Sequence, residues 1–425
     1  MNCYKPGEIL ILPEEGGYEG VVGHIYESLN EKLEILYSVE DLLNFYHLSG
    51  ERLISQFGAL PFVVKVPEGR ESSYVNQLRS ITKIKASVPN YYIHSSQTDL
   101  KINAHTLDAS IEILNCHVRN PACGQDVKIA IIDTGVDREI LPNPEKLHPV
   151  QFTTDKKPQS SEEIEPHDPV GHGSIVAYII NSISPSSAIL SVKMMESMGT
   201  VGGLIAGIYL AEAEFKPDIY NLSLKLSCDP DICDVCGHNR SASVNSYQLR
   251  LLFSFLDKRA DSEDSCNPLI VAAAGNGGKH ISMPASFPNV LAVGSFDIER
   301  NDVAAYSDYK SIPEDRYILA PGGFKFSDRC IAHKKDNSWG GMKYFYGTSF
   351  SAAFVSAVSA RYLCSTKESP CKNVPDHIGG RNFVMACLRE SSKSNSVYVD
   401  PLKSGLGVLR YDWSIIPDAV KSILE

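Results

Sequence analysis

VKIAIIDTGVD, residues 127–137, decides the fold. Apart from Lys128, its first six residues are apolar, as in strands buried on both faces of a parallel sheet. The run ends on a carboxylate, Asp133, and turns at Gly135. Similar runs recur downstream: ILSVKMM (189–195), IYNLSL (219–224), LIVAAAG (269–275) and VLAVGSF (290–296). Between and beyond them lie segments with helical patterning: 171–183, 202–214, 244–258 and 348–363. Strands that alternate with helices predict a doubly wound, mainly parallel α/β sheet with helices on both faces. Ligands of such sheets bind beyond the carboxyl ends of the strands.

Working back toward the N-terminus, the pattern changes. GEILILP (7–13), KLEILYSV (32–39), PFVVKVP (61–67) and KIKASVPNYYIH (83–94) read as strands. GYEGVVGHIYESLN (17–30) and ESSYVNQLRSI (71–81) read as the helices between them. Two β-α-β units of this size predict a small α+β, ferredoxin-like layer. The chain therefore divides into residues 1–96, a polar linker at 97–125, and a large domain at 126–425 on which that linker docks.

The overall balance narrows the function classes. The formal net charge of −11 argues against general attraction to nucleic acid or anionic membranes. The apolar run Ile9-Leu10-Ile11-Leu12 is too short for a signal-peptide core and is flanked by Glu8, Glu14 and Glu15. A cytoplasmic protein with no membrane partner is expected. The 11 cysteines are odd in number, which favours thiols or metal ligands over a disulfide framework.

Four short motifs fall at predicted strand ends or helix starts on one edge of the sheet. They are Asp133 in DTGVD, His172 in GHGS, Asn276 in AAAGN and Ser349 in GTSFSAA. Each alone has an ordinary reading, as a turn residue or a helix cap. Together they supply an orienting acid, a base, an oxyanion donor and a nucleophile, the set that acyl transfer needs.

The order Asp, His, Asn, Ser within these motifs resembles the subtilisin-like serine proteases. NLSL (221–224), MPASFPNVLAVGSFD (283–297), ILAPGG (318–323) and KSGLGVL (403–409) extend the likeness, which spans about residues 126–410. The resemblance implies a serine endopeptidase with Asp133, His172 and Ser349 as the triad and Asn276 in the oxyanion hole. It also implies substrate contacts from Ser223, Leu224, Lys225, Ala274, Gly275, Met198 and Gly199. No cofactor is expected for catalysis, and no convincing calcium ligand set is present. The second β-α-β unit, residues 61–94 of the 1–96 propeptide-like domain, is similar to the family's propeptides. The implication is an intramolecular inhibitor, with zymogen-like self-cleavage near residues 94–97. A catalytically silent, protease-like binding module and an esterase on the same triad are the competing readings.

The chain departs from the family pattern in places. Ala353 stands where a proline is usual, and Ile175 follows GHGS. Lys225-Leu226 replaces a glycine pair in the wall of the specificity pocket. Lys225 there either snorkels to solvent or offers a cation to an acidic residue before the cut. Directly after it, CDPDICDVCGHN (228–239) carries Cys228, Cys233, Cys236 and His238. With His238 or Cys266 as fourth ligand, these thiols form a candidate structural zinc site. Reduced or redox-active thiols are the alternative.

Overall fold

The computed structural model describes residues 4–45, 53–55, 58–94, 101–118, 122–151, 168–195, 198–226, 247–256, 267–309, 315–326, 328–336, 341–367, 380–393 and 399–415. The candidate zinc ligands Cys228, Cys233, Cys236, His238 and Cys266 all lie outside these residues.

In chain order the N-terminal layer holds β1 (Tyr4–Pro13), α1 (Glu19–Leu29), β2 (Glu34–Ser38), α2 (Val39–Phe45), β3 (Phe62–Lys65), α3 (Glu71–Leu78) and β4 (Ile84–His94). The strands run antiparallel in the order β2-β3-β1-β4. Side chains alternate between the two faces of a strand, and β1 uses both. Ile9 and Ile11 join Val21, Ile25, Val75 and Leu78 in a core under α1 and α3. Leu10, with Val63 and Val88, faces the rest of the molecule.

The stretch 97–125, expected as a linker, contains a two-residue strand, β5 (Lys101–Ile102), and a helix, α4 (Ala104–Ile113). Asn103 caps α4 by accepting from the Thr106 N–H, and Leu107 and Leu114 are buried in the core of the large domain.

The large domain continues with β6 (Lys128–Asp133), β7 (Leu147–Gln151), α5 (His172–Ile183), β8 (Ala188–Lys193), β9 (Met198–Thr200), α6 (Val201–Glu214), β10 (Ile219–Leu222), α7 (Tyr247–Leu256), β11 (Leu269–Ala273), β12 (Leu291–Asp297), β13 (Asp302–Val303), β14 (Tyr317–Pro321), β15 (Ala332–Asp336), β16 (Gly341–Phe345), α8 (Thr348–Lys367) and α9 (Arg381–Lys393). Parallel pairing gives the order β7-β8-β6-β10-β11-β12-β14, with β13 folded back antiparallel on β12.

Burial on both faces explains the apolar runs. Along β6, Ile129 and Ile131 pack on the α5 and α8 side, while Ala130 and Ile132 pack on the α6 side. Helix α6 is apolar nearly all round because it lies between two sheets. Leu204, Ile205, Ile208 and Tyr209 share one core with Ile132 and Val192 of the parallel sheet and with Leu10, Val63 and Val88 of the N-terminal layer. Each fully buried side chain of this kind contributes roughly 1.5–3 kcal/mol. Helix α8 is buried on every side, and small residues such as Ala352, Ala353 and Ala357 let it sit close against the sheet.

Candidate functional site

The strand order reverses between β6 and β10, the first strand and the first one laid down on its other side. The carboxyl ends of β6, β10 and β11 open there onto a cleft of about 640 Å³. His172, Ser223, Leu224, Lys225, Gly275, Asn276 and Ser349 all line it.

Asp133 is 1% exposed at the end of β6. Its carboxylate takes two contacts from His172 Nδ1, at 2.8 Å to Oδ1 and 3.0 Å to Oδ2, and accepts from the Thr134 N–H at 2.7 Å. Local sequence makes this close approach feasible. Gly171 has φ +84°, outside the range of most L-residues, and delivers His172 to the first position of α5. A Cβ on Gly173 would stand 2.2 Å from the Gly135 carbonyl, so α5 can abut the Asp133 turn only with glycine there. The Gly173 N–H donates to Thr134 Oγ1 at 3.0 Å, tying helix to turn.

Asp168, not singled out in the sequence, holds the same helix start. Its Oδ2 accepts from the Ser174 N–H at 2.9 Å and from Ser174 Oγ at 2.7 Å, and its Oδ1 accepts from the Val170 N–H. Burial favours the neutral imidazole of His172. The charge and hydrogen bond of Asp133, helped by Asp168, outweigh this and raise its pKa above the ordinary 6.5, with Lys343 opposing.

Ser349 sits at the second position of α8. Its Oγ donates to the Ser223 carbonyl at 3.2 Å, and Ser223 Oγ donates in return to the Ser349 carbonyl at 2.7 Å. The nucleophile's turn is thereby pinned to the segment that follows β10. His172 and Ser349 share the cleft, and the imidazole ring lies 5.4 Å from the ring of Phe350.

The carboxamide of Asn276 has a defined orientation. Its Oδ1 accepts from the Thr348 N–H at 2.9 Å and from Thr348 Oγ1 at 3.1 Å. Thr348 Oγ1 in turn accepts from the Gly275 N–H at 3.1 Å. An N–H can only donate, so the oxygen must face Thr348 and the Nδ2–H₂ faces elsewhere. Gly347, at φ +139°, leaves that amide its room: a Cβ there would stand 2.7 Å from Nδ2.

Asp308 also escapes a reading of the sequence. It is 2% exposed behind the loop that carries Asn276. Its Oδ1 accepts from the Gly277 N–H at 3.0 Å and the Lys279 N–H at 2.7 Å, and its Oδ2 from Ser282 Oγ at 3.3 Å. No local motif marks it, because its partners are distant in the chain.

Of the expected wall residues, Ser223, Leu224, Lys225 and Gly275 line the cleft, as does Ala273, whereas Ala274 is fully buried behind it. Met198 and Gly199 belong to β9. That strand pairs antiparallel with the end of β4, with Tyr92 opposite Thr200, Ile93 opposite Gly199 and His94 opposite Met198. The cleft also takes in Lys325, Lys343, Tyr344 and Tyr346, from the loop after β14 and the β15–β16 hairpin. Nothing local in the sequence tied those residues to the site.

A hydroxyl, an imidazole held by a buried carboxylate, and an oriented amide donor in one cleft can carry out acyl transfer. Comparison with known proteins agrees with this chemistry. A family model described as the subtilase family matches residues 124–370. The subtilisin-like protease PopC of Myxococcus xanthus is 27% identical over 273 residues, which cover 60% of this chain and 55% of that protein. The chain thus spans about half the length of that relative. The major intracellular serine protease of Bacillus subtilis is 25% identical over 268 residues, covering 58% of this chain and 71% of that one. Among solved structures, the epidermin leader peptide processing serine protease of Staphylococcus aureus superposes with a TM-score of 0.60 at 17% identity, covering 99% of both chains. Fervidolysin of Fervidobacterium pennivorans gives 0.59 at 15% identity, over 98% of this chain and 61% of that one. These likenesses in structure show the shared fold, and the match of the family model across more than half of the residues shows that the chain belongs to the subtilase family.

Proposed function

We propose that the protein is a serine endopeptidase. The observation that carries this reading is the two-point contact of Asp133 with His172 Nδ1, in a cleft shared with Ser349 and an oriented Asn276. Ser349 Oγ leaves the Ser223 carbonyl, turns to His172 Nε2 and attacks the scissile carbonyl as the imidazole takes its proton. Asp133 stabilises the imidazolium and fixes the tautomer with Nδ1–H toward itself. Asn276 Nδ2 and the Ser349 N–H, at the start of α8, meet the oxyanion. His172 then protonates the leaving amine, and water attacks the acyl-enzyme by the reverse path. Mass spectrometry of products from a protein mixture tests this. Internal cleavages present with the wild-type chain and missing with Ser349→Ala support it, and identical digests contradict it.

A second reading has one observation in its favour: Ser349 Oγ rests on a backbone carbonyl. In a catalytically silent binding module it would stay there, and no acyl-enzyme would form.

The N-terminal layer, residues 1–96, acts in this proposal as an intramolecular inhibitor, joined through 97–125 to a catalytic domain at 126–425. Support comes from the end of β4, which adds to β9 as an extended peptide substrate would. Behind it, Asn90 Oδ1 accepts from the Gly202 N–H at 3.0 Å, and Asn90 Nδ2 donates to Glu8 Oε2 at 2.8 Å. Self-cleavage near residues 94–97 would convert a zymogen. The wild-type chain should shorten on storage while Ser349→Ala stays full length.

A cytoplasmic setting is in keeping with the described cysteines, Cys116, Cys123, Cys330, Cys364 and Cys387, which are thiols. Among the described residues no helix is long and apolar enough to cross a membrane. The zinc proposal for Cys228, Cys233 and Cys236, with His238 or Cys266, stands or falls on metal analysis of the purified protein.

A further inference from the structure

The chain carries 51 acidic against 40 basic residues, yet its cleft has the opposite character. Lys225, Lys325 and Lys343 line it, and its described lining includes no Asp or Glu. The three lysines come from three separate segments: the one after β10, the loop after β14, and strand β16. Gathering like charges in one concave site costs free energy unless an anion enters it. Lys225 and Lys325 are exposed, and neither forms an ion pair with another described residue. Lys343 lies near enough to His172 for its charge to work against the imidazolium.

The order of two strand pairings along the chain assigns the lysines to sides of the cut. The end of β4 pairs antiparallel with β9, and the next described strand, β5, pairs with β15, with Lys101 opposite His333 and Ile102 opposite Ala332. On the proposed reading of the N-terminal layer as a substrate-like inhibitor, the N-to-C order of these two pairings makes β9 the acyl side of a substrate and the β15–β16 hairpin its leaving-group side. Lys225 is two residues beyond Ser223, whose carbonyl meets Ser349 Oγ, and so serves the acyl side. Lys343, within the hairpin, serves the leaving-group side. The hairpin side has a firm backing. Tyr306 packs on Tyr346 at 5.1 Å and on Phe324 at 5.9 Å between ring centroids, and Phe324 stacks on Phe326 at 5.4 Å.

We propose that this cleft selects acidic peptides: Lys225 pairs with a carboxylate side chain just before the cut bond, and Lys343, with Lys325, pairs with one just after it. The proposal rests on the endopeptidase reading. It is tested with peptides matched except for Glu or Gln on each side of one bond, using wild type, Lys225→Glu and Lys343→Glu. Each is also made with Asn90→Ala, which loosens the N-terminal layer. The ratio of kcat/KM for Glu over Gln is read within each variant, so altered folding cancels. Wild type should prefer Glu by about two- to fivefold at each position, the range of a partly solvated ion pair. Added salt should shrink the preference. Lys225→Glu should reverse it before the cut alone, and Lys343→Glu after the cut alone. Turnover of Glu and Gln peptides at equal rates by wild type overturns the proposal while leaving the endopeptidase reading intact. If neither the wild-type nor the Asn90→Ala chain cleaves any peptide, the reading beneath the proposal fails, and the proposal with it.

Discussion

The carboxyl end of β6, beside the cleft, and the junction of β4 with β9 are held by different means. At β6, Asp133 takes bonds from His172 and Thr134, Thr134 takes one from Gly173, and Asp168 takes three across the start of α5. All of these groups belong to one buried cluster above a sheet covered on both faces. At β4, three residue pairs join two strand ends, with polar support from Asn90, Glu8, Tyr37 and Thr200. Redundant bonds in a dry setting fix a geometry to within fractions of an ångström, as proton transfer requires. A short strand pairing over a few polar contacts gives a hold that can be released.

The contrast is broken most severely at the oxyanion donor. Asn276→Ala should lower kcat by about 10²–10³ with little change in KM, because the amide acts on charge that develops only in the transition state. Thr348→Val, which keeps the N–H but removes the hydroxyl, should lose less than Asn276→Ala, since one of two bonds orienting the carboxamide remains. Steady-state kinetics on a peptide substrate measures both.

Asp308 sharpens the same point one layer further back. Asp308→Ala should reduce kcat by about tenfold by loosening the loop at Gly277 and Lys279, a buried hydrogen-bonded carboxylate being worth a few kcal/mol at most to its surroundings. In the Asn276→Ala background the same change should cost almost nothing. Additive losses in that double-mutant cycle would mean that Asp308 serves the fold and not the donor.

A release of the β4–β9 junction should be smaller. Asn90→Ala removes the acceptor for the Gly202 N–H and the donor to Glu8, and about 1–2 kcal/mol of docking should go with it. The basal activity of the uncut chain should rise about five- to thirtyfold. An unchanged basal rate would show that this junction does not restrain the site.

The smallest effect is on pH. In the proposed mechanism neutral His172 is the base, and its pKa is raised, so kcat/KM should climb with a midpoint above 6.5. Asp168→Asn removes a negative charge that favours the imidazolium and should move the midpoint down. Lys343→Met removes a positive charge that opposes it and should move the midpoint up. Shifts in the same direction would refute this electrostatic account.

How much of this was legible beforehand depends on the distance over which each signal acts. Asp133, His172, Asn276 and Ser349 sit in motifs whose glycines are needed within one or two residues, so a short window reveals them. The parallel strands announced themselves because both of their faces are buried. Asp308 serves partners 26 to 31 positions away, and Lys343 reaches the cleft through a hairpin set by tertiary packing. Helix α4 was hidden by the polarity of its stretch, although Asn103 as a cap and the spacing of Leu107 and Leu114 mark it in retrospect. Ala274 is expected in the substrate wall from the resemblance, but its backbone is engaged with Val293 and Ser282 and its side chain is fully buried.

Activation of Ser349 by the Asp133–His172 pair is read out by a fluorophosphonate probe and mass spectrometry. One covalent adduct on Ser349 is expected, forming rapidly with the Asn90→Ala chain, with its rate reduced by orders of magnitude in His172→Ala. An adduct that never forms, or one that forms as fast without His172, would contradict it.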